Sequence, residues 1–395
     1  MSVFGIVSEF NPFHLGHEYL IRSARDMGAD SVVCVMSGNA TQRGELAITD
    51  KYTRAEAAQK CGADLVVELP FPWSSASAES FALAGIHLLS SFCDTVIFGS
   101  ECGDIDLLRR VAEFTSSPEF KERYTALLTN GEQSAAAYAA LVGEVSSTAL
   151  SSNDLLGVEY IKAAKTLGVD LNFVTVKREG SAYRSAEMSS GDFDSAMAIR
   201  AAISNGDNLE MLKSRLPLAS FDILASAKGN GKIVDLDKYT NFAIMHFRLF
   251  DNKEGLFFAE CEGGVLERIC KTAHDSSGAE DFWNKLSTKR YTDAKLRRAV
   301  IFAMCGVSRE DIFMPSLPAY TLLLAANAKG REFLSDNRRR GGVTIVTKPA
   351  DVSLLCNGNE KRQAELSARL DAIYNLCLPA SAPTGEYMKK KPYIT

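Results

Sequence analysis

Short, nearly unbroken apolar runs alternate with amphipathic stretches along the first half of the chain. Val3 to Val7, Ser31 to Met36, Asp64 to Leu69, Thr95 to Phe98 and Leu171 to Val176 have the length and composition of buried strands. Several of them stop at turn-forming residues such as Ser37-Gly38-Asn39, Pro70 and Gly99-Ser100. Between them lie helical patterns. Gly16 to Met27 carries Leu20, Ile21 and Ala24 on one face, and Asp50 to Cys61 and Ala76 to Phe92 follow. A helical insertion is expected over 105–145, then a helix from Asp154 to Leu167 stopped by Gly168, and another near Ser195 to Ser204. Strands apolar on both faces and separated by helices predict an α/β fold: a Rossmann-like parallel sheet covered on both sides. In such sheets ligands bind beyond the carboxyl ends of the strands, so the strand-end loops are where chemistry is sought.

Past residue 205 the pattern becomes mainly helical, with amphipathic runs at Val265 to Ala273 and Ala294 to Met304. Turns near Pro315 and Pro318 precede a small α/β segment, in which Gly341-Gly342 opens a strand over Val343 to Thr347. The expected organisation is a catalytic domain over 1–205, a helical domain over 206–312 and a basic C-terminal region over 313–395. The last dozen residues, with Lys389 to Lys391 and Pro392, are expected to be loosely ordered. No apolar stretch reaches the roughly 18 to 20 residues of a membrane helix, and no basic leader precedes a long apolar block. A cytoplasmic protein away from membranes, with no stable protein partner, is the expectation.

Charge sharpens this organisation. The chain of 395 residues has a formal charge of −5, but Lys285 to Thr395 holds 19 Lys and Arg against 10 Asp and Glu, while residues 1–284 hold 25 against 39. Basic residues cluster at Arg338-Arg339-Arg340, Lys289-Arg290 and Lys389-Lys390-Lys391, which suggests a polyanion-binding face beside an acidic body; a chance excess of solvated lysines is the plain alternative. Nine scattered cysteines without a Cys-x-x-Cys pair read as reduced, packed thiols.

The sharpest chemical signal is Phe10-Asn11-Pro12-Phe13-His14-Leu15-Gly16-His17, where the first strand turns into the first helix. A helix N-terminus offers unpaired N–H groups and partial positive charge to anions. Two imidazoles there can donate to phosphate oxygens and stabilise charge at a reacting phosphorus, while Gly16 would let phosphate approach the backbone. The same spacing could be half a metal site or two packed core histidines, but His87, His246 and His274 give a metal little support, and no protein metal ligand set is assigned.

With its strand before and helix after, the motif resembles the HxGH superfamily of nucleotidyltransferases and class I aminoacyl-tRNA synthetases. VSEFNPFHLGHEYL (7–20), MSGNATQRGE (36–45), DLVVELP (64–70), FGSECGD (98–104), NDLLGVEY (153–160) and KRYTDAKLRR (289–298) narrow the resemblance to the tRNA(Met) cytidine acetate ligase family, over nearly the whole chain. That resemblance implies an enzyme that uses ATP and acetate to make acetyl-adenylate and then acetylates N4 of the wobble cytidine of elongator tRNA(Met), with Mg²⁺ expected beside the nucleotide. It implies that Val7, Ser8, Glu9, Phe10, Asn11, Pro12, Phe13, His14, Leu15, Gly16, His17, Glu18, Tyr19 and Leu20 form the main ATP loop, with His14 and His17 on the phosphates. Gly99, Asn153 and Arg178 would complete the nucleotide site, although alone they read as a turn, a helix N-cap and a surface arginine. Ser195 and Arg200 stand in the superfamily's phosphate segment, where Met197 replaces a small polar residue. Arg43 is a candidate partner for acetate or phosphate, or else a buried structural partner of Glu45. Lys289, Arg290, Arg297, Arg298, Arg338, Arg339 and Arg340 are candidate tRNA contacts. Rival readings are a small-molecule nucleotidyltransferase resembling pantetheine-phosphate adenylyltransferase and a non-catalytic tRNA-binding module.

Overall fold

The computed structural model describes residues 2–146, 149–178, 196–204, 208–251, 257–312, 317–340, 342–355 and 358–395, with the side chains at 135, 336–340, 353 and 355 outside the description. Five parallel strands, β1 (Val3–Ser8), β2 (Ser31–Ser37), β3 (Leu65–Leu69), β4 (Thr95–Ser100) and β5 (Asn172–Lys177), lie in the order β5-β4-β1-β2-β3. The alternation along each strand explains its burial on two sides. Val3, Val7, Val33 and Val35 face one core, while Phe4, Ile6, Val32, Cys34 and Met36 face the other. The helices α1 (Leu15–Asp26) and α2 (Lys51–Lys60) contribute to the second core. The first is covered by α3 (Ala78–Leu89), α4 (Ile105–Thr115) and α7 (Ser152–Leu167); α5 (Pro118–Thr129) and α6 (Ser134–Val142) complete the insertion expected over 105–145. Because β2 follows β1 on one side and β4 flanks it on the other, the strand order reverses beside β1. That reversal opens a crevice at the carboxyl ends of β1 and β4.

After α8 (Ala196–Ser204) and α9 (Leu218–Gly229), a separate helical core is built from α10 (Leu236–Leu249), α11 (Val265–Asp275), α12 (Ala279–Leu286) and α13 (Asp293–Cys305). The chain then returns to the sheet. The wholly buried strand β6 (Tyr320–Ala326) runs antiparallel to β3, and β7 (Thr344–Val346) and β8 (Tyr393–Ile394) pair with β6. The sheet therefore crosses the division expected near residue 312. With α14 (Ala328–Arg340), α15 (Asn359–Leu376) and α16 (Thr384–Tyr387), the C-terminal region packs on all three cores.

One buried charge cluster ties these parts together. The Lys51 ammonium lies 2.7 Å from Glu68 and 3.3 Å from Asp371 of α15, and Asn39 donates to Asp371 at 2.9 Å and to the Tyr387 hydroxyl at 2.6 Å. The last dozen residues, expected to be loosely ordered, are thus built into the fold. Tyr387 is buried, Lys390 lies 3.7 Å from Asp50, and β8 extends the sheet. A lysine run dominates the composition of that segment and hides its two anchoring tyrosines. The described cysteines are free thiols, and no described helix is long and apolar enough to cross a membrane.

Candidate active site

The crevice beside β1 has a cavity volume of about 160 Å³ and opens to solvent. The residues closing β1 (Val7 to Asn11), the start of α1 (His14, His17, Leu20), the end of β4 (Phe98, Gly99), one face of α7 (Asn153, Leu156, Tyr160), Arg178 after β5, and Arg200 of α8 all line it. Gln42 and Arg43 approach from the loop after β2, and Phe81 from α3. Of the expected ATP loop, Pro12, Phe13, Leu15, Gly16, Glu18 and Tyr19 stand behind this lining; Phe13 is buried beneath it. Ser195 lies outside the described residues.

The two histidines hold each other and the helix start. His14 is the N-cap of α1; its Nδ1 accepts the Gly16 N–H at 3.0 Å, while His17 Nδ1 accepts the His14 N–H at 3.2 Å. A ring nitrogen that accepts a backbone proton must be unprotonated, so each neutral ring carries its proton on Nε2 and keeps that donor for a ligand. The rings stack with centroids 3.8 Å apart, and the Phe10 and Phe13 rings lie 4.9 and 5.5 Å from His17. Burial, reinforced by the charges of Arg178 and Arg200, pushes the His14 pKa down to about 3; burial and His14 also push His17 well below the usual imidazole range. Gly16 also makes room for its neighbour: a Cβ there would stand 2.9 Å from His14 Cε1.

The backbone before the helix is held just as firmly. Phe10 adopts φ +45°, an uncommon conformation for a side chain of its size, and the Asn11–Pro12 peptide is cis. Arg200 donates to the Asn11 carbonyl at 2.9 Å, Asn11 accepts the Ile48 N–H at 2.8 Å, and Ser220 donates to the Phe13 carbonyl at 2.6 Å. Beneath them, the fully buried Arg54 donates to the carbonyls of Thr49 at 3.0 Å, Glu9 at 2.6 Å, Ser37 at 3.1 Å and Gly38. Arg54 was not legible from its position on α2, where an arginine reads as solvent-facing. On the opposite wall Glu101 gathers Arg178 at 3.3 Å, Asn153 at 2.7 Å and the Ser151 hydroxyl. Asn153 is not the cap of α7; Ser151 fills that role, and Asn153, its amide held by Glu101, lines the pocket.

The chain matches the family described as HIGH Nucleotidyl Transferase over residues 1–389. It is 33% identical to the tRNA(Met) cytidine acetate ligase of Acetivibrio thermocellus over 98% of both chains. With that of Caldicellulosiruptor saccharolyticus it shares 34% identity over 95% of this chain and 94% of the relative. Its fold matches Thermotoga maritima TmcAL bound with alpha-thio ATP with a TM-score of 0.90, 30% identity and full coverage of both chains. The chain belongs to the tRNA(Met) cytidine acetate ligase family of HIGH nucleotidyltransferases.

The basic residues expected to meet tRNA divide into three groups in this family member. Lys289 and Arg290 are exposed. Arg297 is a third exposed, stacked over Trp283 at 4.5 Å and 3.5 Å from Glu45. Arg298 does not fit that role: it is buried and paired with Glu260 at 3.0 Å, so its guanidinium is committed inside the helical core. The side chains of Arg338, Arg339 and Arg340, at the end of α14, lie outside the described residues. Glu45 pairs with Arg297 and Arg200, while Arg43 lines the pocket.

Proposed function

We propose that the chain is an ATP-dependent ligase that activates acetate as acetyl-adenylate and acetylates N4 of the wobble cytidine of elongator tRNA(Met). The observation that carries this reading is the pair of Nε2–H donors left by His14 and His17 at the topological switch point, flanked by Arg178 and Arg200. In the first step an acetate oxygen attacks the α-phosphorus of ATP and pyrophosphate leaves. Acetate is already ionised at neutral pH, so this step needs alignment and charge neutralisation rather than a base. His14 and His17 donate to the phosphates, Arg200 meets β- or γ-phosphate oxygens, and Arg43 holds the acetate carboxylate. Gly99, Asn153 and Arg178 hold the nucleoside end. In the second step N4 of cytidine attacks the acetyl carbonyl carbon, the acyl–phosphate bond breaks to release AMP, and the N4 amino group gives up one proton to solvent.

Mg²⁺ would accompany ATP, held mainly by phosphate oxygens and water, with Glu9 the carboxylate within the described lining that can reach it. The ion would neutralise charge on the departing pyrophosphate. Lys289, Arg290, Arg297 and Arg338 to Arg340 supply phosphate contacts to tRNA, and the reaction takes place in the cytoplasm. Incubating the protein with ATP, labelled acetate and unmodified elongator tRNA(Met) tests the reading. Nuclease digestion is expected to release labelled N4-acetylcytidine. Label that never enters tRNA, in a protein that adenylates a phosphate ester instead, would point to the small-molecule nucleotidyltransferase.

A further inference from the structure

Glu45 lies between the nucleotide pocket and the basic face, and its two carboxylate oxygens point opposite ways. Oε2 is 3.9 Å from Nη2 of Arg200, which lines the pocket, and Oε1 is 3.5 Å from Nη1 of Arg297, which stacks on Trp283 at the outer edge of α13. All three side chains are between 18% and 32% exposed, so their mutual attraction is only partly screened. The loop that carries Glu45 is closed on itself: Thr41 N–H donates to the Glu45 carbonyl at 2.9 Å, and Ala40 bridges Leu46. It is also seated directly on α13. Gly44 has φ +77°, and a Cβ there would stand 2.4 Å from the Arg298 nitrogen. Gln42 and Arg43 of the same loop line the pocket, and the Gln42 N–H donates to Glu9 at 2.9 Å.

We infer that Glu45 is a positioning residue that couples the two substrates, holding Arg297 away from tRNA while ATP is intact and releasing it once pyrophosphate has left. The inference rests on the proposed function. With tRNA and triphosphate in place the charges would run in alternation: triphosphate, Arg200, Glu45, Arg297, tRNA phosphate. One carboxylate serves two guanidinium groups, so drawing Arg200 toward the β- and γ-phosphates leaves Glu45 to Arg297 alone. Arg297 then has less to offer a tRNA phosphate. Loss of pyrophosphate returns Arg200 to Glu45 and frees Arg297, so tRNA binds the adenylate state more tightly than the ATP state.

The test measures the dissociation constant of labelled, unmodified elongator tRNA(Met) at fixed salt in two states. One contains saturating magnesium-ATP without acetate; the other contains a non-hydrolysable sulfamate analogue of acetyl-adenylate. The native protein is expected to bind tRNA at least about fivefold more weakly in the ATP state, the lower end of typical coupling between sites. Glu45→Gln, which keeps the shape and removes the charge, brings that ratio close to one. Arg297→Gln also brings it close to one, while weakening tRNA binding in both states. A native ratio of one, or a ratio that survives in either variant, overturns the inference. If tRNA binds in neither state, the tRNA substrate itself is wrong and the proposed function fails with it.

Discussion

At the scale of the residue, the candidate site is set by two imidazoles held in their neutral form. Each spends its Nδ1 lone pair on a backbone N–H of the helix start, and burial lowers both pKa values. Protonating either ring would break that bond and charge a buried group beside Arg178 and Arg200. The sign of the pH effect follows from the depressed pKa. The unfolded chain takes up a proton near pH 6.5 and folded His14 only near 3, so His14 costs no stability above 6.5 and progressively costs it as pH falls toward 3. NMR of imidazole nitrogens in the ligand-free protein is expected to show neutral Nε2–H tautomers for both rings from pH 8 down to about 5. A titration near 6.5 in either ring would contradict this account. The sequence made the histidine pair visible, together with the glycine between them, but only the folded geometry shows that the His14 ring stands where a Gly16 Cβ would be.

At the scale of the element, the strands and helices of the sheet were legible because their apolar periods are uninterrupted. Thus β1, β2 and β4 bury both faces, and Gly168 closes α7 in a left-handed conformation as its position suggested. The supports beneath the site were not legible. Arg54 sits in a helix of mixed polar composition, and nothing in its neighbours marks it as buried among four carbonyls. Its role belongs to α2 as a whole: the helix carries one guanidinium under the ends of β1 and β2 and thereby fixes the Glu9 carbonyl just before the strained Phe10. Arg54→Met leaves those buried carbonyls unpaired and is expected to lower unfolding stability by about 3 kcal/mol or more. Arg54→Lys, which keeps the charge but cannot reach all four acceptors, should lose less. Chemical denaturation measures both, and an Arg54→Met midpoint equal to that of the native chain would contradict the role.

At the scale of the whole molecule, the domains that the sequence suggests in series are joined through one sheet and one buried charge cluster. The return of β6 to the edge of β3 was hidden because antiparallel addition by a strand some 250 residues downstream leaves no local signal. Lys51, Glu68 and Asp371 then fasten α15 to the strand ends that carry the site. The basic C-terminal region is consequently joined to the same sheet as the crevice beside β1. In the proposed reaction His14 and His17 hold a triphosphate in line for attack by acetate. Acetate-dependent exchange of labelled pyrophosphate into ATP reads that step without tRNA. The native protein is expected to catalyse it, and His14→Ala and His17→Ala are each expected to slow it by about 10²-fold or more while tRNA binding persists. Exchange at native rates in either variant, or loss of tRNA binding equal to the loss of exchange, would contradict the claim.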